Sequence, residues 1–329
     1  MFDGRLIGHR AIRENLLSRL QAGKLAGSLI FAGLDGIGKR RIALELAQRE
    51  LCFKGSACGA CQGCKAFWTD PLPIELPNLL RIAPEGKAGI IKVGAVRDSD
   101  LVEGGVIAWA AMAPPPRCHR WILIEDAHRL HGAAANMLLK TLEEPPPGTH
   151  VVLITHRPDA MLQTIRSRCE RIAFAPLSGD EAWAVALANG WGEAERESWT
   201  ALSAGSLRFL ERDAFERAAA QVDAWLRLSS GTSFRDAAGP LVPDRTSEMA
   251  VSEQLRQPLE LLLALLNDAA RSRCGGAPSL APWKAGIGKL AQSSADLKLS
   301  QELVYQALRH LPRNPSPEPV LREIGMTLR

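Results

Sequence analysis

A chain of 329 residues has room for two or three domains at the usual ~100–200 residues each. With 46% hydrophobic and 23% charged residues it has an ordinary globular balance, and a net charge of +4 is too mild to imply nucleic-acid binding by itself, while it permits a local basic face. No apolar run is long enough to span a membrane, and the N-terminus Met1-Phe2-Asp3-Gly4-Arg5 lacks the charged-then-apolar pattern of a secretion signal, so cytoplasmic residence is the expectation.

Residues 5 to 27 read as a helix, with Ile12, Leu16, Leu17 and Leu20 near helical spacing. The apolar run Ser28 to Ala32 then enters Gly33-Leu34-Asp35-Gly36-Ile37-Gly38-Lys39-Arg40. This is the spacing G-x-x-x-x-G-K of a phosphate-binding loop, followed by a helical run from Arg41. Strand, glycine-rich turn and helix N-terminus together surround an anion with backbone N–H groups. The next position normally carries the Ser or Thr hydroxyl that holds magnesium, and here it is Arg40. The four letters recur at Gly286-Ile287-Gly288-Lys289, where Trp283 replaces the first glycine and no strand precedes. Context therefore carries the first copy.

Cys52, Cys58, Cys61 and Cys64 end in C-x-x-C-x-x-C. Thiolates at this spacing converge on one tetrahedral ion, zinc above all, in a structural role; an iron–sulfur cluster and buried free thiols are the alternatives. Seven cysteines, four of them clustered, fit a metal in a reducing compartment better than a disulfide framework.

A proline-rich passage at 71–77 leads to an apolar run at 78–82, then to an expected helix from about Val93 that Pro114-Pro115-Pro116 ends. Trp121 to Ile124 is an apolar strand closing in Glu125-Asp126. Two acids there suit the magnesium-side and water-activating carboxylates of a P-loop sheet, although the usual order is Asp then Glu. Residues 132–144 read as a helix, and 151–155 as a strand with Thr155 at its tip, either a γ-phosphate sensor or a strand-end cap. Residues 172–174 form a last short strand. Five strands (28–32, 78–82, 121–124, 151–155, 172–174) alternating with helices predict an α/β fold with a parallel sheet covered on both faces. The ligand edge is then the carboxyl ends of the strands. Residues 178–208 read as helical, and nothing beyond Ala214 reads as strand. There, the sets Phe215, Ala218, Val222, Leu226 and Leu259, Leu262, Leu263, Leu266 keep helical spacing around a loop-rich gap at 229–244.

Residues Leu138-Leu139-Lys140-Thr141-Leu142-Glu143-Glu144-Pro145-Pro146 and Thr164-Ile165-Arg166-Ser167-Arg168-Cys169, with the cysteine knuckle after the phosphate-loop helix, resemble the delta prime family of bacterial DNA polymerase III clamp loader subunits, in the AAA+ ATPase class. The resemblance covers residues 1 to about 210 well, and the rest by pattern and length. The first cysteine interval is shorter than the family's usual one. The resemblance implies an AAA+ P-loop domain with the knuckle (1–176), a small helical lid (177–212) and a helical collar for oligomerisation (213–329). It implies that Arg168 is an arginine finger acting in trans, and that Arg208 occupies a second sensor position. His9 and His128 match family positions without needing a chemical role. The implied partners are tau/gamma-type ATPase subunits, the delta subunit, the sliding clamp and primed DNA. With Arg40 and the Glu125-Asp126 order, ATP and magnesium are doubtful ligands, and the chain is expected to serve a neighbour's hydrolysis rather than its own. An active tau/gamma-type ATPase is the alternative.

Overall fold

The computed structural model describes residues 6–65, 67, 75–76, 78–84, 89–91, 105–111, 119–130, 132–244, 246–247, 250–311 and 316–328. The proline-rich segment 71–74 and most of the helix expected from Val93 lie outside them, apart from a helix at Gly105–Ala111. The chain divides into two compact units, 1–181 and 182–329.

The first unit is an α/β layer structure. Strands β1 (Ser28–Ala32), β2 (Glu75–Leu76), β3 (Leu79–Ile82), β4 (Arg120–Ile124), β5 (Thr149–Thr155) and β6 (Glu170–Ala173) form one sheet in the order β2-β3-β4-β5-β1-β6. The five strands from β3 to β6 in that order run parallel, as the sequence predicts, and β2 adds an antiparallel edge pair that its two residues do not announce. All five residues of β1 and of β4 are buried. A strand covered on both faces reads as a continuous apolar run, not as an alternation.

Two separate cores make those faces. Ile122, Ile124, Val151 and Leu153 pack with Ala134, Leu138 and Leu142 of the helix Gly132–Glu143. Leu29, Phe31, Trp121, Leu123, Val152 and Ile154 pack with Leu16 of α1 (Arg10–Gln21) and with Ala43, Leu46 and Ala47 of α2 (Lys39–Leu51). The α2 side also carries the phosphate loop.

The second unit is helical, and no strand occurs among its described residues. Its core runs from Leu202 and Phe209 through Trp225 to Leu262, Val304 and Ile324, so residues 182–212 share one core with the helices that follow. The gap expected at 229–244 contains a short helix, Phe234–Ala237, which Ser233 caps by accepting from the Asp236 N–H. The second Gly-Ile-Gly-Lys lies inside the helix Lys284–Gln292, so it forms no loop.

Candidate functional site: an altered phosphate loop and a cysteine knuckle

The phosphate loop takes the path its spacing predicts. Gly36 and Gly38 lie at φ 70° and 93°, a region that a β-carbon disfavours. Gly33 is required for a different reason: a β-carbon there would stand 2.5 Å from the carbonyl oxygen of Phe174. His9 Nε2 lies 2.8 Å from the Ile37 carbonyl and, as the only possible donor of the pair, ties the loop to the start of α1. That gives His9 the structural role its sequence position allows.

The charges on the loop are unusual. Lys39, Arg40 and Arg41 open α2, and its first turn has no acid. Cations at the positive end of a helix dipole are unfavourable unless an anion sits beside them. Lys39 is 5% exposed, and its ammonium donates to the carbonyls of Gly33 (2.9 Å) and Leu34. Burial lowers its pKa to about 8, against the opposing pull of Asp35 and Asp126.

Glu125 closes the site from β4. Its Oε2 lies 3.2 Å from Arg40 Nη1, and its Oε1 accepts from Arg81 Nη2 at 2.6 Å and Nε at 2.9 Å. Arg81 and Glu125 sit at corresponding ends of neighbouring parallel strands, on the α2 face of the sheet. Sequence reasoning missed Arg81. Its signal was a lone charge inside the apolar run Leu79-Leu80-Arg81-Ile82.

Asp126 lies at φ 46°; its charge acts on Lys39, but its carboxylate is turned to His156 and Arg129. Its Oδ1 is 3.3 Å from His156 Nδ1. Burial opposes its ionisation, but the His156 hydrogen bond and the nearby His156, His128 and Arg129 outweigh burial and hold the carboxyl below its usual range. Thr155, 1% exposed, has its hydroxyl 3.2 Å from His128 Nδ1 and accepts from the Arg157 N–H at 3.0 Å. Burial, then the charge of His156, lowers the His128 pKa to about 3, so its imidazole is neutral at neutral pH. The ligand atoms of Asp126, His128 and His156 lie within 4.8 Å of one another.

Arg168 stands away from these groups. It follows the short helix Gln163–Arg166, donates from Nε to Glu143 at 2.9 Å and from Nη1 to the Thr164 carbonyl at 3.1 Å. Its guanidinium is thus held by the two segments that carry the family resemblance. Cys169 beside it is half-buried, which pushes its thiol up to about 12. Arg208 belongs to the second unit, where it pairs with Glu260 at 3.0 Å and lies over the Phe209 ring.

The knuckle begins where α2 ends. The four sulfurs of Cys52, Cys58, Cys61 and Cys64 lie within 4.8 Å of one another, with Cys52 and Cys61 Sγ 3.9 Å apart. A tetrahedral zinc with four bonds of ~2.3 Å separates its sulfurs by about 3.8 Å. The Cys58 and Cys64 N–H groups donate to the sulfurs of Cys52 and Cys61, both at 3.4 Å. Burial raises the Cys52 thiol, but backbone donors from Cys58, Ser56 and Lys54 outweigh it and bring it down to about 5, whereas burial pushes Cys64 up to about 12. Four sulfurs this close suit a cation among them, and the donor set fits zinc.

A family model described as DNA polymerase III, delta subunit, matches residues 8–178. A DNA polymerase III subunit delta' of Pseudomonas aeruginosa is 32% identical over 241 residues, covering 73% of this chain and 62% of that protein. One of Escherichia coli is 33% identical over 168 residues, covering 50% and 46%. The chain thus spans between about half and six-tenths of the length of these relatives. A solved gamma-subunit-related protein of Thermotoga maritima superposes with a TM-score of 0.48 at 16% identity, over 96% of this chain and 98% of that one.

Proposed function

Because the chain belongs to the DNA polymerase III, delta subunit family, we propose that it is a delta prime type clamp loader subunit that assists ATP hydrolysis in a neighbour and does not turn over ATP itself. The observation that carries this reading is the clasp of Arg40 and Arg81 on Glu125. A P-loop motor needs a hydroxyl at position 40 and a free carboxylate at the end of β4 to hold magnesium. Here the hydroxyl is a guanidinium, and the carboxylate is neutralised by two. Phosphate groups could still bind, since three cations at a helix N-terminus favour an anion.

On this reading Arg168 leaves Glu143 and reaches a nucleotide held by a tau/gamma-type subunit. An arginine there stabilises charge developing on the γ-phosphate. Arg208 serves as a second sensor in the lid, and Thr155 keeps a sensor position whose hydroxyl is now turned to His128. The helices after residue 212 form the collar that joins the other subunits, including delta. The complex opens the sliding clamp and places it on primed DNA. Zinc in the knuckle is structural.

A second reading is an active tau/gamma-type ATPase, supported by Lys39 in place at the loop and by the acid pair at the end of β4. ATP turnover by the purified chain alone, abolished by Lys39→Ala, would sink the first reading. Absence of turnover alone, with stimulation of partner ATPase that Arg168→Ala removes, supports it.

A further inference from the structure

The opposite edge of the sheet, at the amino ends of β4 and β5, holds a second group of metal-type donors. Glu50 lies on the face of α2 that also presents Ala43, Leu46 and Ala47 to the sheet. His119 immediately precedes β4, two residues before Trp121, so the alternation of an extended chain puts both on one face. His150, in β5, is the register partner of Trp121. Three distant stretches thus bring two imidazoles and a carboxylate together, with their ligand atoms within 4.8 Å of one another.

The hydrogen bonds around them are those of ligands held in place. His150 Nδ1 lies 3.3 Å from the Ala26 carbonyl, which can only accept, so Nδ1 carries the proton. Its Nε2 lies 3.6 Å from Glu50 Oε2. Trp121 Nε1 donates to the same oxygen at 2.9 Å and fixes the carboxylate. His119 Nδ1 is buried, stands 3.4 Å from Glu50 Oε1, and makes no hydrogen bond among the described residues. A carbonyl behind a histidine and a donor behind a carboxylate are the usual outer supports of metal ligands. Bonds of ~2.0–2.2 Å in tetrahedral geometry separate ligand atoms by about 3.3–3.6 Å, and the two imidazoles stand 3.4 Å and 3.6 Å from the two oxygens of the one carboxylate.

We propose that Glu50, His119 and His150 form a binding site for a divalent first-row transition metal ion, separate from the cysteine knuckle. The mixed imidazole and carboxylate set suits zinc, cobalt or nickel more than magnesium or calcium. Three protein ligands leave a fourth position, and the His119 side chain is 43% exposed. A small anion, water or a side chain of another protein can complete the coordination.

The test uses the full chain and zinc. The wild type, Cys61→Ser, His119→Ala, Glu50→Gln and the Cys61→Ser/His119→Ala double variant are equilibrated with zinc, desalted and assayed for bound metal. His119→Ala and Glu50→Gln are each expected to hold one zinc fewer than the wild type. Cobalt bound to Cys61→Ser is expected to show weak d–d absorption beside any thiolate band of the three remaining cysteines, and that d–d component is expected to disappear in the double variant. Because His119 is half-exposed, circular dichroism of His119→Ala should match the wild type, which separates loss of a ligand from loss of fold. Equal zinc content in the wild type, His119→Ala and Glu50→Gln overturns the proposal and leaves a hydrogen-bonded network only. Cobalt spectra of Cys61→Ser that His119→Ala does not change overturn it as well.

Discussion

Arg40 Nη1 lies 3.2 Å from Glu125 Oε2, so the side chain that replaces the magnesium-binding hydroxyl is paired with the carboxylate that would share the ion. The loop keeps the shape of a nucleotide site, while the residue at the magnesium-ligand position neutralises the carboxylate that would share the ion. Arg40→Thr is therefore expected to restore a magnesium ligand and release one side of Glu125. Calorimetric titration with ADP should give tighter, magnesium-dependent binding than the wild type. Equal binding in the two proteins, with and without magnesium, would show that Arg40 does not govern the metal position.

Arg168 is held by Glu143 and the Thr164 carbonyl, within reach of exchange because the pair is partly exposed. An exposed ion pair is worth ~0–1 kcal/mol, so releasing the guanidinium is cheap. In a reconstituted complex, Arg168→Ala is expected to lower hydrolysis at the receiving site by roughly 10³-fold or more, with assembly by gel filtration unchanged. An unchanged rate would remove the finger from the mechanism.

Lys39 has a folded pKa of about 8 against 10.5 for the free side chain. Its protonated form is thus disfavoured in the ligand-free fold, and the unfolded chain holds more protons between those values. Stability from this group is present above pH 10.5 and falls as pH drops through about 8. Urea unfolding of the wild type should show that rise between pH 8 and pH 10, and Lys39→Met should flatten it. Anion binding runs the other way, weakening above pH 8 as the ammonium is lost.

The knuckle gives a separate expectation. Cys61→Ser should lower bound zinc by one per chain and lower the melting temperature, with the far-ultraviolet circular dichroism of both units retained. Four thiols so close are arranged for a cation, and the loop of residues 52–64 carries little else to hold it. Zinc content equal to the wild type would exclude the cysteines as ligands.

Asp268 tests the helical unit. It is 1% exposed, and its carboxylate accepts from Ser279 Oγ at 2.9 Å and from the Leu280 N–H at 2.8 Å. Asp268→Ala leaves these donors unpaired and is expected to cost about 1–3 kcal/mol in chemical denaturation. A change below the error of the measurement would mean that water replaces the carboxylate.

The sequence by itself determined the parallel α/β layer, the loop at Gly33 to Arg40, the acid pair and the cysteine knuckle. Each is a local matter. Strands buried on both faces must be continuous apolar runs, a phosphate loop needs glycines at fixed offsets, and three cysteines at x-x intervals lie within seven residues of chain. The same locality marked the second Gly-Ile-Gly-Lys as a chance match, since no strand precedes it, and the structure places it inside a helix. Only the tertiary structure decided what those groups meet. Strand order put Arg81 of β3 beside Glu125 of β4, and neither their separation in sequence nor their residue types predicts that adjacency. Burial on both faces also erased the period-two pattern that would have shown which strand residues look toward α2. His119, Trp121 and His150 therefore read as isolated side chains until the register of β4 on β5 brought them to Glu50. The altered loop was legible as a missing hydroxyl. That its replacement neutralises the neighbouring carboxylate follows from packing alone.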